Sequence, residues 1–163
     1  MFKFPAWIPR DTHEDKRADT LVVRTDKQSL LVALNTKDEK LWKYNGDHLR
    51  RWTAEHRKQL QRWSEDAKYE NRPVPNFAER REASVRKFGN RMSSAIHEIA
   101  AQLAGYAQRR RFASVLYDDS VHEYLDSFPY FRLRVLIAEK LDHAGIKFEL
   151  ASGQVEEENP EPL

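Results

Sequence analysis

The chain has 163 residues, of which 40% are hydrophobic, 33% charged and 11% aromatic. This is enough apolar material for one folded domain with a substantial core, which excludes an intrinsically disordered chain. The formal net charge is +2 and the sequence contains no cysteine, so disulfide frameworks, thiolate zinc sites and cysteine nucleophiles are excluded.

Residues 1–19 predict an extended arm, because they are polar and contain Pro5 and Pro9. The opening MFKFPAWIPR has neither an apolar core nor a small-residue cleavage site, so we expect no secretory signal. No stretch approaches the ~18 consecutive apolar residues of a membrane span. A cytoplasmic protein without a membrane partner is therefore the expectation.

Three strands are predicted next, at residues 20–25, 29–35 and 39–44, because these segments are rich in β-branched, aliphatic and aromatic residues. The short links between them suit tight turns, and Asn45-Gly46 is a turn signal after the third strand. The segment therefore predicts a three-stranded meander.

Two long helices follow the meander. Asp47 predicts an N-cap, and apolar or aromatic residues then recur at spacings of three and four, which places them on one helical face. That face consists of Leu49, Trp52, His56, Leu60, Trp63 and Ala67. Two prolines within residues 70–76 end this helix, and a second helix is predicted over residues 78–109. The pair forms a helical hairpin inserted at residues 47–111.

The last third of the chain returns to alternating elements. A buried strand is predicted at residues 112–117, a helix at 128–144 and a strand at 146–150, with Gly145 as the helix C-cap. The remaining residues, 151–163, have the composition of a disordered acidic tail.

The predicted elements occur in the order β-β-β-α-α-β-α-β. A meander followed by alternating strands and helices predicts an α/β fold with a mixed sheet. The step from the fourth strand through a helix to the fifth requires a right-handed crossover. This is the element order of the RNase H-like fold, and we assign residues 20–150 to such a domain.

Positive charge is concentrated in the helical hairpin. Residues 47–111 carry 15 basic and 8 acidic side chains, whereas the chain from Glu149 onward carries five acidic and no basic ones. A basic helical segment favours a polyanion such as nucleic acid, although a solvated helix face of mixed charge gives the same pattern. The candidate phosphate contacts are Arg50, Arg51, Arg57, Arg62, Arg80, Arg81, Arg86, Lys87, Arg91, Arg109, Arg110 and Arg111.

Aromatic and histidine side chains in the hairpin allow two interpretations. Trp52 and Trp63 are either stacking platforms for bases or core residues, and their place on the apolar stripe favours the core. His56 and His97 also lie on or near apolar helix faces, so packed roles are predicted for both.

Carboxylates at strand ends are the candidates for metal-dependent phosphodiester cleavage. Asp26 follows the first strand, and Asp118 and Asp119 follow the fourth. RNase H-like nucleases hold two divalent cations with such side chains, because Mg²⁺ and Mn²⁺ prefer oxygen ligands. Structural interpretations are also open: Asp26 as a turn residue, and Asp118-Asp119-Ser120 as a helix N-cap. In that helix Asp118 and His122 would share a face, a weak metal pair.

Residues 79–150 resemble the RuvC nuclease domain of transposon-encoded TnpB proteins and of the related type V CRISPR effectors. In that family a long basic helix carries an Arg/Asn-rich stretch followed by His-Lys, and RKFGNRMSSAIHEIAAQLAGYAQ places His97 there. The family's next strand ends in an acidic motif, matched by Asp118 in FASVLYDDS. Lys140 and Gly145 match the following helix and glycine. The resemblance implies an RNase H-like domain that binds nucleic acid, with Mg or Mn as the metal of an active site.

The sequence also departs from the family pattern. The family's first motif, Gly-Ile-Asp-Leu-Gly, is replaced by VVRTDKQS, with Arg24 at the position of the catalytic aspartate and Asp26 two residues later. The third motif, with its cysteines and final aspartate, has no counterpart. An arginine among metal carboxylates repels cations and can instead hold a phosphate. The resemblance therefore implies a catalytically degenerate domain that binds DNA or RNA, alone or in a larger nucleoprotein complex.

Two alternatives remain open from the sequence. The first is an active Mg- or Mn-dependent endonuclease that uses Asp26, Asp118 and Asp119. The second is a non-catalytic subunit or regulator of a nuclease or transposition complex, which contacts a protein through the aromatic arm or the acidic tail.

Overall fold

The computed structural model describes residues 19–69, 77–120 and 122–152 of the chain. These residues form five strands and three helices, and every element expected from the sequence is present. In chain order the elements are β1 (Thr20–Arg24), β2 (Leu31–Leu34), β3 (Lys40–Tyr44), α1 (Asp47–Tyr69), α2 (Phe77–Arg109), β4 (Ser114–Tyr117), α3 (Tyr130–His143) and β5 (Lys147–Leu150). Nearly all of the predicted arm and tail lies outside the described residues.

The five strands form one mixed sheet in the order β3-β2-β1-β4-β5. The first three strands pair antiparallel as a meander. β1 then pairs parallel with β4, and β4 pairs parallel with β5. The predicted fold class, an α/β RNase H-like mixed sheet, is confirmed.

The core lies against one face of the central strands. Leu21 and Val23 of β1 are fully buried, and so are Val115 and Tyr117 of β4, while the residues between them are half-buried. The register aligns Leu21 with Val115 and Val23 with Tyr117, so all four side chains share a face. Burial of each aliphatic side chain in this set contributes about 1.5–3 kcal/mol.

Helical residues complete the core on this face. The ring of Tyr106, near the end of α2, lies 6.2 Å from that of Trp42 on β3, and its hydroxyl donates to the carbonyl oxygen of Leu41 at 3.5 Å. α3 buries one aliphatic side chain per turn, namely Leu133, Ile137 and Leu141. Among the described residues, no helix is both long and apolar enough to cross a membrane.

The described residues divide into two compact units. The sheet unit comprises the residues up to Asn45 and from Ile99 onward, and the hairpin unit comprises Gly46–Glu98, which holds α1 and the greater part of α2. Within the hairpin unit, Leu49 and Ile96 are buried. Farther along α1 the side chains of the predicted apolar face are only half-buried, namely Trp52, His56, Leu60 and Trp63, and so is Phe88 of α2.

Gly145 follows Ala144, the C-cap of α3, and so lies one residue beyond the predicted cap position. It has a positive φ of 76°, which a residue with a Cβ rarely adopts. Its N–H donates to the carbonyl oxygen of Asp142 at 3.0 Å, and the N–H of Ile146 donates to that of Leu141 at 2.8 Å. These bonds satisfy the last carbonyl groups of the helix and turn the chain into β5.

The segment between β4 and α3 corrects two predictions. Residues 118–120 do not cap a helix, because α3 begins only at Tyr130. The carboxylate of Asp118 instead accepts the backbone N–H of Ser120 within a tight turn. Pro129 precedes that helix with a φ of −78° and a ψ of 71°, which is not helical. Asp118 and His122 therefore share no helical face.

Candidate nucleic-acid interface and strand-end carboxylates

The carboxyl ends of β1 and β4 lie side by side, because the two strands are parallel neighbours. Val23 pairs with Tyr117, and the N–H of Asp118 donates to the carbonyl oxygen of Val23 at 2.8 Å. This bond continues the ladder by one residue and places Arg24 beside Asp118. Arg24 is the last residue of β1, and Asp26 lies in the turn that follows.

Asp118 is held by its own turn. Its Oδ1 atom accepts the N–H of Ser120 at 3.0 Å and the hydroxyl of the same residue at 2.6 Å. These two hydrogen bonds, with smaller contributions from the positive charges of Arg24 and His122, hold the pKa of the Asp118 carboxyl below its usual range. Asp118 is therefore an ionised carboxylate whose Oδ1 atom already accepts two hydrogen bonds.

Asp26 has the turn role that the sequence allowed for it. Its Oδ1 atom accepts the N–H of Gln28 at 2.8 Å and the N–H of Ser29 at 2.7 Å. Its own N–H donates to the carbonyl oxygen of Ser29 at 3.2 Å. An aspartate that closes the link between two strands in this way stabilises the hairpin of β1 and β2.

Asp119 forms an ion pair with Arg134 that was not predicted from the sequence. Its Oδ2 atom lies 3.6 Å from a guanidinium nitrogen of Arg134 and accepts the hydroxyl of Ser152 at 3.0 Å. The side chain of Asp119 is only 8% exposed and that of Arg134 is 15% exposed. Arg134 lies on α3 and Ser152 follows β5, so only the packing of these elements brings the three residues together.

A buried polar layer lies next to this ion pair. The hydroxyl groups of Thr25 and Tyr117 are buried, and burial raises the pKa of the Tyr117 phenol above its usual value. His122 stacks on Tyr130, with ring centroids 4.5 Å apart. Burial in this stack lowers the pKa of His122, against the opposing effect of the Asp119 charge.

The strand-end residues do not fit the two-cation centre that the resemblance implies. An arginine stands where an acid is needed, Asp119 is neutralised by Arg134, and Asp26 is committed to a turn. Within residues 19–69, 77–120 and 122–152, no group of three or more His, Asp or Glu side chains is arranged to hold a metal ion. We therefore derive no catalytic step through a metal.

The basic side chains of the hairpin are accessible. Of the candidate phosphate contacts within Gly46–Glu98, all are exposed except Arg50, which is half-buried. Arg91 is exposed, yet its guanidinium lies 4.2 Å from the ring centroid of Trp52. Such a cation–π contact fixes the arginine without neutralising it.

The remaining arginine cluster lies at the opposite end of β4 from the carboxylates. Arg109, Arg110 and Arg111 are exposed and precede the strand, whereas Asp118 follows it. Four strand residues at about 3.3 Å each separate the two ends by roughly 13 Å. The cluster and the carboxylates therefore do not form one site, and Arg110 instead lies over the ring of Tyr106 at 5.6 Å.

The ring side chains of the hairpin correct the sequence interpretation in part. Trp52 and Trp63 are half-buried, so neither is a full core residue. His56 is packed as predicted: it stacks on Phe88 with a centroid distance of 4.3 Å and an interplanar angle of 2°. Burial, followed by the charge of Arg81, lowers the pKa of His56. The predicted packing of His97 is wrong, because its place on the helix leaves it exposed.

Comparisons with known proteins show which structures share this fold. No protein-family model matches the chain, and no curated protein sequence matches it. A solved Cas12f1–sgRNA–target DNA complex matches with a TM-score of 0.62 and 12% identity, over 79% of this chain and 34% of that one. A CRISPR-Cas12f ternary complex matches with a TM-score of 0.66 and 14% identity, over 77% of this chain and 27% of that one. The chain thus shares the fold of a part of these effectors and spans 27% to 34% of their length.

Proposed function

We propose that this chain is a RuvC-like domain, related to those of TnpB and type V CRISPR effector nucleases, that binds nucleic acid and does not cut it. The observation that carries the proposal is the register of β1 and β4, which places Arg24 next to Asp118 at the strand ends, where its charge contributes to lowering the pKa of that carboxyl. A positive charge at this point opposes the binding of a divalent cation and favours a phosphate.

The hairpin supplies the binding surface in this proposal. Apart from the half-buried Arg50, its candidate arginines and Lys87 are exposed on α1 and α2, so phosphates reach them without rearrangement of the fold. Arginine suits this task because its planar guanidinium matches two phosphate oxygens at once. Binding of this kind releases condensed counterions, and affinity then falls steeply with salt.

The partner class follows from the same surface. One of the matched structures is a complex with sgRNA and target DNA. For this chain we propose DNA or RNA as the partner, either alone or within a larger nucleoprotein complex. An isolated domain of this size, engaging several phosphates, is expected to bind with little sequence preference, because phosphate contacts carry no sequence information.

The proposal predicts a strong dependence of affinity on salt. Fluorescence anisotropy of a labelled DNA duplex, over a salt series from about 50 to 200 mM, should give a log–log slope of about −0.9 for each phosphate contact. Arg57→Gln and Arg62→Gln should each flatten the slope by about 0.9 and weaken binding. Lys43→Gln removes an equally exposed cation from β3, outside the hairpin, and should leave the slope unchanged. A slope near zero for the unmodified protein would contradict the proposal.

A further inference from the structure

We infer that Arg109, Arg110 and Arg111, at the end of α2, form a second phosphate contact, and that Arg111 is retained there at the expense of stability. The inference rests on the proposed function. It adds to the hairpin surface a contact made by the sheet unit, the other compact unit of the chain. It starts from the backbone of Arg111, which adopts a conformation that favours glycine.

α2 ends in a motif that normally has a glycine at the position of Arg111. The N–H of Phe112 donates to the carbonyl oxygen of Ala107 at 3.0 Å, and the N–H of Arg111 donates to that of Gln108 at 3.1 Å. These two bonds define a Schellman motif, in which the residue after the C-cap adopts the left-handed conformation. Arg111 does so with a φ of 60°. A residue with a Cβ is strained in this conformation, whereas glycine is not.

The end of α3 is the comparison within the same molecule. It makes the same two bonds, from Gly145 to Asp142 and from Ile146 to Leu141, and Gly145 has a φ of 76°. One motif is thus built with glycine after α3 and with arginine after α2. Within the part of the chain that the structure describes, the exposed side chain of Arg111 makes no hydrogen bond, ion pair or ring contact. A strained residue whose side chain makes no contact that offsets the strain points to a role outside the fold.

The two preceding residues are also arginines that no acid neutralises. Arg109 and Arg110 are exposed, as Arg111 is. The guanidinium of Arg110 lies 5.6 Å from the ring centroid of Tyr106, a contact that orients the group and leaves its charge in place. Among the described residues, no carboxylate forms an ion pair with any of the three arginines. Three consecutive guanidinium groups are therefore accessible to a phosphate.

The charges around the cluster do not neutralise it. Lys147 and Glu149 on β5 pair with each other at 3.0 Å. The turn between β2 and β3 carries two lysines and two acids, at positions 37–40. The exposed acids that remain at this end of the sheet are Asp19, before β1, and Asp142, in the last turn of α3. Neither is paired with an arginine of the cluster, so the cluster keeps its positive charge.

The backbone of a nucleic acid is the occupant that these groups fit. A planar guanidinium matches two oxygens of one phosphate, and neighbouring arginines can take neighbouring phosphates. The proposed function already assigns the cations of the hairpin unit to the same polymer. Because phosphates repeat at every nucleotide, one nucleic acid can supply them to both units.

The test measures stability and binding on the same variants of the full chain. Arg111→Gly removes both the charge and the strain, so its midpoint of urea denaturation should rise while its affinity for a labelled DNA duplex falls about fivefold at about 50 mM salt. Arg111→Gln keeps the strain and loses the charge, so the affinity should fall equally and the midpoint should not change. In both variants the log–log salt slope should flatten by about 0.9.

Two further variants are the controls. Arg111→Lys keeps both the charge and the strain, and should bind within about twofold of the unmodified protein. Lys43→Gln removes an exposed cation from β3 in the same unit, and should change neither the affinity nor the salt slope.

The outcomes separate this inference from the proposed function. Unchanged affinity in Arg111→Gln, while Arg57→Gln still weakens binding, would overturn the inference and leave the proposed function standing. A lower urea midpoint in Arg111→Gly would also overturn it, because the arginine would then stabilise the fold. Failure of the unmodified protein to bind any DNA or RNA would overturn the proposed function, and the inference with it.

A measurement on the unmodified chain needs no variant. Phenylglyoxal modifies accessible arginines, and mass spectrometry identifies the modified peptides with and without the bound duplex. Arg109, Arg110 and Arg111 should react in the free protein and be protected in the complex. Equal modification of the three in both samples would contradict the second contact.

Discussion

At the scale of single residues, the ends of β1 and β4 show how local bonds decide what a carboxylate can do. Asp118 and Asp26 each accept two hydrogen bonds from residues two or three positions away in the chain. Asp119 is paired with Arg134 instead. The acids are therefore engaged in holding the strand ends together, and Arg24 adds a positive charge among them.

The pKa of Asp118 should depend mainly on Ser120. Ser120→Ala removes the hydroxyl donor, the largest cause of the lowered value, so the pKa of Asp118 should rise toward that of an ordinary aspartate. A carboxyl titration followed by NMR measures this directly. Ser152→Ala, which removes a bond to Asp119, is the control and should leave the pKa of Asp118 in place.

The sign of the linked stability change follows from the direction of that shift. A carboxyl with a lowered pKa in the folded state stabilises the fold above its unfolded-state pKa, and this contribution is lost as the pH falls through the lowered value. In Ser120→Ala the acid-dependent loss of stability should therefore be smaller. An unchanged Asp118 pKa in this variant would refute the role given to the turn.

At the scale of elements, two glycines show that a helix interior and a helix end require different backbone conformations. Gly89 lies within α2, and a Cβ added there would meet nothing within 4 Å. Gly145 follows α3 with a φ of 76°, where a side chain is strained whatever the space. The same substitution should therefore act in opposite directions at the two positions.

Gly89→Ala should stabilise the fold by up to about 1 kcal/mol, because alanine has the higher helix propensity and no contact opposes it. Gly145→Ala should destabilise it by about 1 kcal/mol or more, because the end of α3 needs the left-handed conformation. Urea denaturation of both variants measures the difference. If both variants changed the free energy of unfolding in the same direction, the roles given to Gly89 and Gly145 would be contradicted.

The elements were predictable from sequence because their signals are local. The β-branched runs, the helical spacing from Leu49 to Trp63 and the turn at Asn45-Gly46 act over a few residues. Each element was therefore found, with boundaries that coincide or shift by one or two residues. The length of the connection after β4 was not predictable in this way. Its Asp-Asp-Ser sequence suits a helix cap equally well, and only the fold selects the turn.

At the scale of the whole molecule, the sequence did not predict which side chains from different helices and strands contact each other. The pairing of Arg134 with Asp119 depends on how α3 packs beside β4, and no local pattern records that packing. The place of Arg24 near the end of the first strand was predictable by counting residues back from the second strand, whereas its position next to Asp118 depends on the pairing of β1 with β4. The exposed basic hairpin and the arginine at position 24 are the two observations on which the proposed function rests.

The most direct test of that central claim is one gel experiment. Labelled single- and double-stranded DNA and RNA are incubated with the purified protein over a salt series, with Mn²⁺ or with EDTA. We predict a salt-sensitive shift of the nucleic acid and no cleavage under either condition. Cleavage that requires Mn²⁺ and is lost in Asp118→Asn would contradict the claim and establish a nuclease. Neither shift nor cleavage would contradict it as well, and would assign the domain to a protein partner.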